Sequence, residues 1–159
     1  MAEAATEKFW DMIGDFETCM VTTRDGRQLR SRPMAPKISR ARGEILFVTD
    51  RNSHKVDEIA ADDQVACSFV QKEEYVAVSG TASVTNNRAR IEEAWDAQAE
   101  AWMPGGKDDP NTAILVIRPN QAEIWDVTSN KISQAWEFAK AYVGDKPRPD
   151  TTENIKVDL

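Results

Sequence analysis

Through residues 75–84 the side chains alternate with a period of two: Val76, Val78, Gly80, Ala82 and Val84 fall on one face, and Tyr75, Ala77, Ser79, Thr81 and Ser83 on the other. That period belongs to a strand with one face against a core. Residues 65–70 form a second β-rich run just upstream, so 65–84 reads as a hairpin, with Gly80 marking a bend or bulge. The same grammar recurs at residues 18–23, the turn 24–27 and an extended segment 28–39. A turn at Arg42-Gly43 precedes the apolar run 45–49, and a last hairpin is expected from 112–118, a turn at Pro119-Asn120, and 121–127. Short hairpins join only antiparallel neighbours, so six or seven such strands predict an antiparallel sheet closing into a small barrel.

Helical periodicity punctuates the strands, which makes the fold class α+β. Phe9, Ile13 and Phe16, with Trp10 beside them, mark a helix over 6–16. Asn52 or Ser53 can cap a helix running through Lys55, Val56, Ile59 and Ala60. Ile91, Trp95, Ala99 and Trp102 predict one helix over 87–102, ending in a Gly/Pro loop; Ile132, Trp136, Ala139 and Val143 predict another over 130–143. The 159 residues suit one domain, 1–144, followed by an extended tail, 145–159. No run reaches the roughly 20 apolar residues of a membrane span, and the acidic N-terminus has no apolar leader segment, so a cytoplasmic protein without membrane contact is expected. Cys19 and Cys67 sit in strand-like runs and read as buried thiols. With His54 as the single histidine, a four-ligand structural zinc site is not expected, and no metal is assigned. Asp108-Asp109 reads as a turn cap or a solvated pair in preference to a cation site.

Charge is distributed unevenly. Residues 24–42 carry seven basic side chains against the single acid Asp25, while the other 140 residues hold 13 Lys/Arg against 26 Asp/Glu. The net charge of −7 and the lack of aromatic residues in 24–42 argue against nucleic acid, whereas a short basic segment suits a small anion such as a phosphate monoester. Arg30, Arg32 and Met34 share one strand face, with Ser31 and Pro33 on the other. Ser53 and Lys55 stand at a helix start, where free N–H groups favour an anion. Charge counts alone fit a solubilised edge strand equally well. A Ser53–His54 nucleophile pair is disfavoured, because adjacent helical residues point apart.

The order of these motifs adds information. Arg30-Ser31-Arg32-Pro33-Met34, then Leu46-Phe47-Val48-Thr49, then Ser53-His54-Lys55, and later Trp125 resemble the FMN-binding split-barrel family. The stretch Trp102 to Pro110, Ile124-Trp125-Asp126 and the ending Lys156-Val157-Asp158-Leu159 are similar to its general stress protein 26 branch within the pyridoxamine 5′-phosphate oxidase-like proteins. The resemblance implies a six-stranded antiparallel split β-barrel of Greek-key type with flanking helices, in a homodimer whose flavin sites lie at the subunit interface. It further implies that Arg30 and Lys55 hold the FMN phosphate with Ser53 and His54. Ser31, Arg32, Pro33 and Met34 would lie along the isoalloxazine ring, Val48 and Thr49 would contact flavin, and Trp125 would stand near it. FAD is the alternative cofactor.

Two departures bear on activity. The true oxidases carry a lysine five residues after the first arginine, where this chain has Ala35, and an Arg/His-containing substrate segment near the C-terminus, where it has only Arg148. Both argue against pyridoxamine phosphate oxidation and leave flavin binding intact. The expected function is a flavoprotein with a redox or general-stress role; the alternatives are a non-catalytic flavin sensor, or a haem protein using His54 as axial ligand. Trp10, Trp95, Trp102 and Trp136 read as packing residues.

Overall fold

The computed structural model describes residues 2–126 and 153–159, so the helix expected over 130–143 lies outside the described residues. Helix α1 (Ala2–Gly14) is followed by strands β1 (Cys19–Asp25), β2 (Gln28–Met34) and β3 (Lys37–Ser39), a single 3-10 turn at Arg40–Arg42, and β4 (Glu44–Asp50). Helix α2 (His54–Ala61), β5 (Gln64–Gln71), β6 (Glu74–Thr85), helices α3 (Arg88–Ala94) and α4 (Ala97–Trp102), β7 (Thr112–Asp126) and β8 (Glu153–Asp158) follow among the described residues.

All eight strands lie in one antiparallel sheet, ordered β2-β1-β5-β6-β7-β4-β3, with β8 added to β7. The expected continuous segment 28–39 is in fact broken at Ala35-Pro36, and its two halves occupy opposite ends of the sheet. Proline lacks the ladder N–H, which favours a break there. Three peptide steps from Met34 to Lys37 reach at most about 11 Å, so the two sheet edges must curl toward each other. They are not paired, and the result is a split barrel and not a closed one.

The barrel interior is filled from α1 and the strands. Phe9, Ile13 and Phe16 pack with Val21, Phe47, Phe69, Leu115 and Ile124 in one buried cluster, and Phe16 meets Phe69 edge-on with ring centroids 5.5 Å apart. A second cluster, Leu46, Ile91, Ala94, Ile114 and Val116, lies beneath α3. Covered on both faces, β4 and the first half of β7 are therefore apolar without alternation. Glu44 ties this layer together by accepting from Arg118 Nε at 3.2 Å and from Arg90.

Two further expectations are corrected. The turn at Pro119-Asn120 is a bulge inside the 15-residue β7: Ser79 pairs with Gln121 and Gly80 with Pro119, leaving Asn120 as the extra residue. Gly80 is required there, because a Cβ would stand 2.3 Å from the Arg118 carbonyl oxygen. The single helix over 87–102 is two helices; Trp95 is extended, and the Asp96 carboxylate caps α4 by accepting from Ala99 N at 2.9 Å. A local cap outweighs the apolar stripe, leaving Trp102 78% exposed. Within the expected extended tail, residues 153–158 form a strand whose Val157 is buried against the core.

Candidate functional site

A cavity of about 510 Å³ opens where β2, β4, α2 and α4 meet. Arg32, Pro33 and Met34 line it from the end of β2, Val48, Thr49 and Asp50 from β4, and Lys55 from α2. Gln98, Ala99 and Trp102 form the lip across from them. Six residues of the expected cofactor set are thus brought together: Arg32, Pro33, Met34, Val48, Thr49 and Lys55. The volume lies within the roughly 300–1,000 Å³ of small-molecule sites.

Lys55 lines this cavity with two other cations, Arg32 and Lys37. Lys55 Nζ donates to Thr49 Oγ1 at 3.1 Å and to Ser53 Oγ at 3.0 Å. Burial, and then the nearby Arg32 charge, hold its pKa below the ordinary lysine value. Ser53 occupies the N-cap position of α2, but its hydroxyl serves Lys55 and makes no capping bond, which corrects the expected cap.

Arg32 is held by β1 and α2. Its Nη1 donates to Thr23 Oγ1 at 2.6 Å and its Nη2 to Glu58 Oε2 at 3.0 Å. The Thr23 hydroxyl also donates to Glu58 Oε2. Glu58 itself is buried at 4% exposure, so the guanidinium is anchored from below.

The remaining expected residues lie outside the cavity wall. Arg30 shares the face of Arg32, yet its half-exposed side chain donates from Nε to Asp25 Oδ2 at 2.6 Å. Ser31, on the opposite face, pairs its hydroxyl with Thr22 Oγ1 at 2.7 Å across the β1–β2 ladder. His54 Nε2 stands 3.5 Å from Asp25 Oδ2 and 3.6 Å from Glu58 Oε1. The Arg30 hydrogen bond, with His54 adding to it, keeps the Asp25 carboxyl below its usual pKa. Trp125 is half-buried on β7, opposite Tyr75 and Asn154.

Reading the sequence alone misses Glu58, Gln98 and the exposed position of Trp102. Glu58 has a legible signal, since it lies three residues after Lys55 and four after His54 on one helix face. Elsewhere, Asp109 Oδ1 accepts from Asn111 N at 2.8 Å within the turn, while Asp108 pairs with Arg88 of α3. Both cysteines are buried and free; a hydrogen bond to Cys19, together with burial, pushes the Cys67 thiol well above its ordinary pKa, away from thiolate chemistry.

Comparison with known proteins gives a consistent picture. Residues 4–150 match the family model described as "Pyridoxamine 5'-phosphate oxidase like". The crystal structure of a protein described as general stress protein 26 from Jannaschia sp. CCS1 superposes with a TM-score of 0.79 at 28% identity, covering 100% of both chains. The general stress FMN/FAD binding protein of Xanthomonas citri superposes with a TM-score of 0.69 at 27% identity, over 77% of this chain and 89% of that one. Protein bli-3 of Neurospora crassa is 28% identical over 141 residues, 80% of this chain and 68% of that protein.

Proposed function

Because this chain belongs to the pyridoxamine 5′-phosphate oxidase-like family, we propose that it is a cytoplasmic, homodimeric flavoprotein that binds FMN in the cavity between β2 and α2, with FAD as the alternative ligand. The observation that carries the reading is Lys55. Among the described residues it has no carboxylate at ion-pair distance, and its ammonium, depressed in pKa by burial, is served by two hydroxyls at the cavity edge. A cation held this way gains most from an anion that arrives with its own ligand.

The chemistry of the lining supports a flavin. Pro33, Met34, Val48 and Ala99 offer an apolar slot for a planar ring, while Thr49, Ser53 and Lys55 supply donors for a phosphate at one end. Arg30 joins them by turning its half-exposed side chain away from Asp25. Ser31, His54 and Trp125 are then peripheral to the ligand in a single subunit. The Xanthomonas citri relative, named as an FMN/FAD binding protein, supports the same ligand class. Haem would need His54 as its axial ligand, and His54 is not among the lining residues.

A bound flavin supplies hydride or electron transfer. This chain's part is to orient the ring and set its electrostatics: Arg32, fixed by Thr23 and Glu58, places a permanent positive charge on the cavity wall, where it favours added negative charge on the ligand. Placement of the cytoplasmic pool agrees with the described helices, none of which is long and apolar enough to cross a membrane.

Comparing FMN with riboflavin tests the phosphate assignment. FMN should bind more tightly than riboflavin, and the Arg30→Ala/Lys55→Ala double variant should lose about 3–6 kcal/mol of FMN affinity, at about 1.5–3 kcal/mol for each charge-assisted contact. Fluorescence titration that finds equal affinities for the two ligands, or an unaltered double variant, would remove the assignment.

A further inference from the structure

We propose that Asp25, His54 and Glu58 form a binding site for one divalent transition-metal cation of the zinc class, completed by solvent. The three residues come from the end of β1 and two successive turns of α2, and their donor atoms all lie within 4.8 Å of one another. His54 and Glu58 are spaced i,i+4, which puts the imidazole and the carboxylate on one helix face.

The orphaned oxygen of Glu58 distinguishes this cluster from an ordinary acidic patch. The Glu58 side chain is 2% exposed. Its Oε2 is fully engaged, accepting from Arg32 Nη2 at 3.0 Å and from the Thr23 hydroxyl. Its Oε1 is buried with no hydrogen-bond partner, and it faces His54 Nε2 at 3.6 Å and Arg30 Nε at 3.9 Å. A buried carboxylate oxygen left without a donor is unfavourable, and a cation or an ordered water is what relieves it.

The spacings match a metal better than a proton. The 3.5 Å from His54 Nε2 to Asp25 Oδ2 and the 3.6 Å to Glu58 Oε1 are too long for good hydrogen bonds. Ligand atoms about 2.0–2.1 Å from a tetrahedral cation stand about 3.3–3.4 Å apart; the two His54 distances are already close to this, while the cluster as a whole, with its donor atoms within 4.8 Å of one another, must close around the ion. One imidazole and two carboxylates favour zinc, cobalt or iron(II) over magnesium or calcium, which prefer all-oxygen shells. His54 is the most exposed member and leaves the outer side open to solvent ligands. Three protein ligands plus solvent is also a different arrangement from the four-ligand structural site that the sequence disfavours.

Arg30 is the resident competitor. It donates to Asp25 Oδ2 at 2.6 Å, its side chain is half exposed, and it does not reach Glu58 Oε1 with a hydrogen bond. Metal entry requires it to swing outward. That gives the proposal a sign which a purely structural cluster lacks: removing Arg30 should strengthen metal binding, because it removes a like charge and frees the Asp25 oxygen.

The test uses the untagged, chelator-treated chain without flavin, titrated with Co²⁺ and followed by its visible d–d absorption, then competed with Zn²⁺. One equivalent of Co²⁺ with a four- or five-coordinate spectrum, displaced by Zn²⁺, is expected. Affinity should fall at least tenfold in His54→Ala and in Asp25→Asn, and should rise in Arg30→Ala. The exposed His54 serves as the main variant, since Glu58→Gln also disturbs Arg32 and Thr23. A wild-type chain that takes up no Co²⁺ at millimolar concentration would overturn the site, as would unchanged affinity in His54→Ala or a thiolate charge-transfer band that reports Cys19 or Cys67 as the ligand.

Discussion

Strands β2 and β4 are both seven residues long, yet β2 has no buried residue while β4 buries Glu44, Ile45, Leu46, Phe47 and Thr49. The contrast separates scaffold from site. Flanked by β7 and β3 and covered by core on one face and α3 on the other, β4 contributes stability. At the free edge of the sheet, β2 keeps Arg30 accessible, and it is held by the β1 ladder, by the Arg32 bonds to Thr23 and Glu58, and by Met34 against the core. The cavity forms where the two kinds of strand approach: β4 lends a rigid wall through Val48 and Thr49, and β2 lends charge through Arg32.

The comparison can be broken by truncation. Phe47→Ala on β4 should cost about 3–5 kcal/mol of folding stability, whereas Leu29→Ala on β2, where Leu29 is 71% exposed, should cost less than about 0.5 kcal/mol. Urea unfolding of both variants checks this; equal losses would mean that β2 is part of the core. Next in size, Gly80→Ala should cost about 1–3 kcal/mol, because its Cβ meets backbone at Arg118, not a movable side chain. A neutral effect in the same unfolding assay would show that the β6–β7 bulge relaxes freely.

The smallest effect sharpens the cavity lip. The Lys37 hydrogen bond, opposed by burial and aided by Ala99 N, holds the Asp96 carboxyl below its ordinary pKa. A carboxylate depressed in this way stabilises the fold fully above about pH 4, and its contribution is lost as the pH falls through the lowered value. Asp96→Asn should therefore be less stable than the parent at pH 7 and approach it as the pH falls through the lowered value, with only a slight difference because Asp96 is partly exposed. A gap that widens on acidification would contradict the pairing.

Much of the scaffold was legible in the chain because a period of two survives wherever one sheet face is buried, as from Val76 to Ala82. Local chemistry was ambiguous where two structures share one signature. Pro119-Asn120 suits a hairpin turn and a bulge alike, and only the pairing with Gly80 decides between them. Asp96 could sit within a helix or cap a new one, and the backbone at Trp95 chooses the second. Six of the eleven expected cofactor residues reach the cavity, five of them because β2 and β4 carry contiguous motifs into it. Glu58 and Asp25 were invisible as partners, since their approach depends on how α2 docks against the β1–β2 turn, a tertiary contact across 33 residues of sequence.

The most direct measurement is the absorbance spectrum of the purified protein after incubation with FMN and removal of the excess. The account predicts flavin bands that remain with the protein, bleach on dithionite reduction, and are absent from the Arg30→Ala/Lys55→Ala double variant. A folded wild-type chain that retains no flavin, or a double variant that retains as much as the parent, would contradict it.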